Sequence, residues 1–136
     1  MPDNYESVLT FMPKVRKILL IDDEPDYLDK LVKSLEHNGF ECRKMADSVQ
    51  ATKLLEREKF DVVITDISMP GRNGFEVIEA VRSNNSAGTV IAISGQLDRN
   101  IEKEAISTGA DAFIAKPIDL QTLIEFLGTI GNETGE

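Results

Sequence analysis

The chain has 136 residues, enough to bury one hydrophobic core but not two, and its 41% hydrophobic and 29% charged residues mark it as globular rather than disordered. A net charge of -9 argues against direct binding to nucleic acid or to an anionic membrane surface, both of which attract basic faces. No apolar run approaches the roughly 20 residues that cross a bilayer, the acidic N-terminus lacks the apolar stretch of a secretory signal, and the lone Cys42 cannot form an intrachain disulfide, so a cytoplasmic location without membrane insertion is expected.

Residues 1–15 precede any periodic pattern and read as a flexible N-terminal extension. The first strand is expected over Lys17 to Asp22, in the run KILLIDD. Pro25 then suits the first turn of a helix, where its missing N–H costs nothing. Leu28, Leu31, Val32 and Leu35 give that helix one apolar face at the spacing i, i+3, i+4, i+7. A mixed strand, Phe40 to Met45, has the polarity of a sheet edge, and a short helix with Ala51, Leu54 and Leu55 follows Asp47 as its N-cap. Phe60 to Asp66 is the third strand, and Val77, Ile78 and Val81 form the next helical face. Thr89 to Ser94 and Ala112 to Ala115 are the last strands, separated by a weaker helix with Ile101 and Ala105. Leu120, Leu123, Ile124 and Leu127 close the pattern behind Asp119 as a cap, leaving 131–136 as a polar tail.

Four strands are continuously apolar, as expected when both faces are covered. Polar turns at Asn38-Gly39, Asn84-Asn85 and Thr108-Gly109 separate the units. Five βα units in series imply right-handed crossovers and an α/β fold, a doubly wound five-stranded parallel sheet with helices on both faces. In such a sheet all strand C-termini share one edge. Asp22 and Asp23, Asp66, Ser94 and Lys116 each stand where an apolar strand stops, so the topology gathers three carboxylates, a hydroxyl and an ammonium. That set suits a hard divalent cation and a phosphoryl group. Mutual repulsion of the carboxylates predicts a raised pKa for at least one of them.

The ordered set IDDEP, DVVITDISMPGRNGFEVI, VIAISG and GADAFIAKP resembles the receiver domain of bacterial two-component response regulators, from about Lys17 to about Ile130. The resemblance implies a flavodoxin-like (βα)5 fold over residues 16–130, of the chemotaxis-regulator kind without a separate output domain. It implies that Asp66 is the phosphoacceptor, taking a phosphoryl group from a sensor histidine kinase or a histidine phosphotransfer protein. Mg²⁺ would be held by Asp23, Asp66 and the main-chain carbonyl of Ser68, with Asp22 acting through a metal-bound water. Lys116 and Ser94 would bind phosphoryl oxygens, and the Lys116–Pro117 peptide bond is commonly cis in the family. Ser94 and Phe113 correspond to the switch pair that couples the site to the surface of the fourth helix, fifth strand and fifth helix. Gly71 and Gly74 bracket a turn after the phosphoacceptor and permit backbone angles that other residues resist. The family's output is binding to a downstream protein or onward relay, as a monomer or a phosphorylation-promoted dimer, and its only catalysis is of its own phosphorylation and dephosphorylation.

Plainer readings exist for individual residues. A DD pair alone is often a solvated turn, and Lys116 or Ser94 alone would be a surface lysine and a turn former. Phe113 packs in a core under any reading. His37, in EHNG at a helix C-terminus, reads as a solvated cap residue, Cys42 as a small buried hydrophobe, and Glu56, Glu58 and Asp61 as a solvated acidic face. A competing function is a Mg²⁺-dependent phosphohydrolase of the haloacid-dehalogenase kind, but the general-acid aspartate of those enzymes falls at Ser68. A flavin binder is disfavoured because DDEPD after the first strand repels a phosphate.

Overall fold

Alternation along the central strands decides which helices each sheet face carries. The computed structural model describes residues 17–67, 73–96 and 98–130. Among these, five strands, β1 (Lys17–Ile21), β2 (Glu41–Met45), β3 (Phe60–Asp66), β4 (Ala87–Ser94) and β5 (Ala112–Ala115), alternate with five helices. The helices are α1 (Pro25–His37), α2 (Ser48–Leu55), α3 (Asn73–Asn84), α4 (Arg99–Thr108) and α5 (Leu120–Thr129). All strand pairs are parallel, in the order β2-β1-β3-β4-β5. This is the flavodoxin-like doubly wound sheet expected from the sequence. The extension over 1–15, the tail over 131–136, Ser68 and the Met69-Pro70-Gly71 turn lie outside the described residues.

Successive side chains of a strand point to opposite faces. Leu19, Ile21 and Val63 therefore pack with Ala51, Leu54, Val77, Ile78, Val81 and Ala105, the inner faces of α2, α3 and α4. Ile18, Leu20, Val62, Ile64, Ile91 and Ile93 face the other way, onto Leu28, Leu31, Leu35, Leu123 and Leu127 of α1 and α5. Each fully buried Leu or Ile contributes roughly 1.5–3 kcal/mol, so these two layers hold the sheet edges that carry the site. No helix among the described residues is long and apolar enough to cross a membrane.

Several expectations are corrected in detail. β4 starts at Ala87 rather than Thr89, because Ala87 pairs with Phe60 and Phe60 N–H donates to Ser86 O at 2.7 Å. β5 is only half-buried along its length, since it forms the second sheet edge. Asp47 and Asp98 cap α2 and α4 by accepting from Val49 N–H and Asn100 N–H, both at 2.8 Å. Asp119 does not cap a backbone N–H of α5; it accepts instead from the Thr122 hydroxyl at 2.7 Å. Gly109, at φ 135°, ends α4 in a conformation that resists any Cβ.

Candidate functional site

The parallel ladders run slightly past the assigned strand ends and so fix the next residues. Ile21 pairs with Thr65, and Asp22 and Asp66 leave β1 and β3 side by side. Asp22 N–H still donates to Met45 O at 3.1 Å, Ile67 N–H to Ile93 O at 2.9 Å, and Lys116 N–H to Ser94 O at 2.7 Å. Strand order reverses direction at β1 and β3, which opens a crevice at their C-terminal ends. Carboxylate oxygens of Asp22, Asp23 and Asp66 all lie within 4.8 Å of one another in that crevice.

Lys116 starts one residue beyond β5, two strand spacings (about 10 Å) from β3, and its side chain crosses the end of β4 where Ser94 and Gly95 carry little bulk. Its Nζ lies 2.8 Å from Asp22 Oδ2, from Asp66 Oδ2 and from Glu24 Oε1. The Lys116, Asp22 and Asp66 side chains are 12%, 2% and 4% exposed, so these pairs are shielded far more than surface ion pairs. The peptide bond that follows, Lys116–Pro117, is cis.

Burial alone would lower the Lys116 pKa, but its contacts with Asp22, Asp66 and Glu24 outweigh that and hold it above the ordinary lysine value. The Asp22 pKa is raised, first by burial and further by the charge of Asp66, against the pull of Lys116 and of Glu24 N–H. Repulsion between carboxylates is thus the smaller cause, contrary to the emphasis drawn from the sequence. Asp22 Oδ1 accepts from Glu24 N–H at 2.9 Å. Asp22 Oδ2, buried and 2.8 Å from Lys116 Nζ, has no aligned hydrogen bond. A buried anionic oxygen with spare acceptor capacity, beside two further carboxylates, fits a hard cation such as Mg²⁺ or Ca²⁺.

Ser94 is fully buried at the end of β4, and its Oγ accepts from Gln96 N–H at 3.0 Å. Phe113 on β5, opposite Ala92 of β4, packs half-buried against the core beneath α2, α3 and α4. Gly74 is explained differently from the sequence expectation. An added Cβ would meet Asp66 O and Ile67 Cα at 2.3 Å, so the position requires the lack of a side chain rather than an unusual φ. Gly95, in contrast, has open space where a Cβ would stand.

Two residues at the site were not found by sequence reasoning. Glu24 is a third carboxylate on Lys116, and Tyr27 places its ring 4.7 Å from Lys116 Nζ. Elsewhere, His37 does lie in the last turn of α1. Cys42 is half-buried on the β2 edge, and burial, aided by Glu36 and Glu41, pushes its thiol up to about 12. Of the acidic residues read as a solvated face, Glu56 and Asp61 are exposed and Glu58 is half-buried: Lys17 Nζ lies 2.7 Å from Glu58, Arg43 lies 3.1 Å from the same carboxylate, and Asp61 accepts from Lys17 N–H at 2.9 Å.

Comparison with known proteins follows the same architecture. Response regulator protein PilR of Pseudomonas aeruginosa is 33% identical over 116 residues, which cover 84% of this chain and 26% of PilR. The chain therefore spans about a quarter of that relative. A CheY-like response regulator receiver domain protein from Methanospirillum hungatei superposes with a TM-score of 0.80 at 27% identity, over 90% of this chain and 98% of the other. A response regulator protein from Burkholderia pseudomallei, whose crystal structure holds a phosphorylated aspartic acid, a calcium ion and citrate, gives 0.75 at 25% identity, over 88% of this chain and 71% of the other. The family model of the response regulator receiver domain matches residues 18–127, from the second residue of β1 to the last buried leucine of α5, and the chain belongs to that family of two-component signalling modules.

Proposed function

We propose that the chain is a phosphorylation-activated switch in which Asp66 accepts a phosphoryl group from the phosphohistidine of a sensor histidine kinase or a histidine phosphotransfer protein. The observation that carries this reading is the Lys116 ammonium 2.8 Å from Asp66 Oδ2 inside a cluster of three carboxylates. The family match and the phosphorylated aspartate in the Burkholderia relative support it. Residues 16–130 form the receiver, flanked by the extension over 1–15 and the tail over 131–136, and the protein works in the cytoplasm. Phosphorylation changes its binding to a downstream protein, or its self-association, or passes the phosphoryl group onward.

In the transfer, an Asp66 carboxylate oxygen forms the O–P bond as the N–P bond of phosphohistidine breaks. The imidazole leaves with the bonding electron pair and takes a proton from solvent. Asp22, Asp23 and Asp66, with the Ser68 carbonyl, would hold Mg²⁺, which would supply positive charge to the phosphoryl oxygens. Lys116 binds one of those oxygens and keeps its proton throughout, since its raised pKa leaves it an ammonium at neutral pH. Ser94, whose Oγ accepts from Gln96 N–H, donates its hydroxyl hydrogen to another. Hydrolysis reverses the modification when water attacks phosphorus and Asp66 departs as carboxylate.

The test uses acetyl phosphate. One phosphoryl group per chain is expected with Mg²⁺, none with a chelator and none on Asp66→Asn. Full labelling of the Asn variant would overturn the assignment. The phosphohydrolase alternative gains no support from the family match, and sustained turnover of a phosphoester would be its signature.

A further inference from the structure

Tyr27 touches the loop that carries Lys116 at two points. Its ring centroid lies 4.7 Å from Lys116 Nζ, and its hydroxyl accepts from Ile118 N–H at 3.1 Å. The contacts bracket the Lys116–Pro117 step, one on the side chain before it and one on the backbone after it. Tyr27 itself is anchored from behind. It belongs to α1, follows Pro25 by two residues, precedes the buried Leu28, and packs half-buried against the core under α1 and α5. The ring position is thus set by the hydrophobic layer, independently of Lys116.

Lysine is a point charge on a flexible four-carbon stem, and ion pairs alone do not fix where it points. Of the three carboxylates around Nζ, that of Glu24 is 64% exposed and offers the ammonium a way toward solvent. A ring face attracts a cation over a broad area without dictating a single direction. It can hold the ammonium while the group's hydrogen bonds pass from carboxylates to a phosphoryl oxygen.

We propose that Tyr27 is a positioning residue for phosphoryl transfer, its ring holding the Lys116 ammonium within reach of Asp66. This inference rests on the reading of Asp66 and Lys116 given above. Three proteins test it: wild type, Tyr27→Phe, which keeps the ring, and Tyr27→Met, which keeps the bulk and loses it. With acetyl phosphate at saturating Mg²⁺, the Met variant is expected to label about tenfold more slowly and the Phe variant within about threefold of wild type. Mg²⁺ affinity is expected to stay within about twofold in both, because neither change touches a carboxylate. The ring current supplies a readout independent of rate. The Lys116 ε-methylene protons, identified by comparison with Lys116→Arg, should resonate upfield in wild type and Phe and lose that shift in Met. A Met variant that labels at the wild-type rate overturns the inference, as does a Phe variant as slow as Met or a Lys116 signal without a shift. Wild-type protein that takes no phosphoryl group overturns the reading of the site as well, whereas a labelled wild type with an unaffected Met variant removes Tyr27 alone.

Discussion

Asp22 is where burial and charge conflict most directly. Its carboxylate is almost wholly buried, faces Asp66 and shares the Lys116 ammonium with two other acids. Because its folded pKa is raised, the folded state binds a proton more readily than the unfolded chain. Its contribution to stability therefore increases as pH falls from the folded pKa toward the ordinary value near ~3.9, and is unfavourable above that window. Lys116 has the opposite consequence: its raised pKa stabilises the fold below the ordinary lysine value of ~10.4, and that contribution fades as pH rises through the folded pKa. Asp22→Asn keeps the Oδ1 acceptor for Glu24 N–H and removes the buried charge. In chelator at pH 7 it should raise the melting temperature by about 2–4 °C, the equivalent of roughly 1 kcal/mol. Added Mg²⁺ should reverse the order, because wild type gains binding energy that the variant has partly lost. Calorimetry with and without metal checks both halves, and an Asn variant less stable than wild type in chelator would refute the first. At this scale the strand-end residues were readable because each interrupts an apolar run. Glu24 and Tyr27 were not, because nothing local marks two residues of the first βα unit as partners of a lysine 92 and 89 positions later.

The elements show how the backbone delivers these groups. α3 begins so close to the end of β3 that Gly74 abuts the Asp66 carbonyl. A Cβ there would strike backbone atoms, which cannot turn aside as a side chain can. Gly74→Ala should cost about 3 kcal/mol, in the range of overpacked and backbone-straining substitutions, and should slow labelling by displacing Asp66. Gly128→Ala is the control: nothing lies within 4 Å of its added Cβ, and alanine in a helix should gain about 0.5 kcal/mol. Urea unfolding of the two variants measures both signs, and equal stabilities would contradict the close approach. β1, β3 and β4 were legible because fully covered strands are uniformly apolar. AFIA in β5 looks the same in sequence, yet it forms an edge and is half-exposed, since strand order is a property of crossovers and not of local composition. Asp98 and Asp119 make the same point for caps. Both are aspartates at the N-cap position, but only Asp98 turns its carboxylate to a backbone N–H, while Thr122 offers Asp119 a competing hydroxyl.

For the whole molecule, the question is how a phosphoryl group at one sheet edge is felt at a helical surface. Ser94 and Phe113 lie on adjacent strands, and Lys116 N–H bonds Ser94 O, so the β4 and β5 ends are tied to each other. Ser94 Oγ now engages Gln96 N–H, at the start of the connection to α4. On the proposed reading, a phosphoryl oxygen that accepts from the hydroxyl draws Ser94 Oγ toward Asp66 and strains that connection, and the half-buried Phe113 on the neighbouring strand repacks as it moves. Such a switch needs a ligand with differential affinity: reversing a 1:99 equilibrium takes about 10⁴-fold tighter binding to the second state. Beryllofluoride, a phosphoryl mimic, should therefore change amide resonances at Ser94 to Gln96, along α4 and along β5, as well as beside Asp66. Phe113→Leu is expected to bind the mimic within about threefold of wild type, because Phe113 is not among the groups proposed to bind the phosphoryl oxygens, while the α4 and β5 changes shrink to less than about half. Amide changes confined to the Asp66 pocket in wild type, or identical in the Leu variant, would show that the sheet edge and the helical surface respond independently.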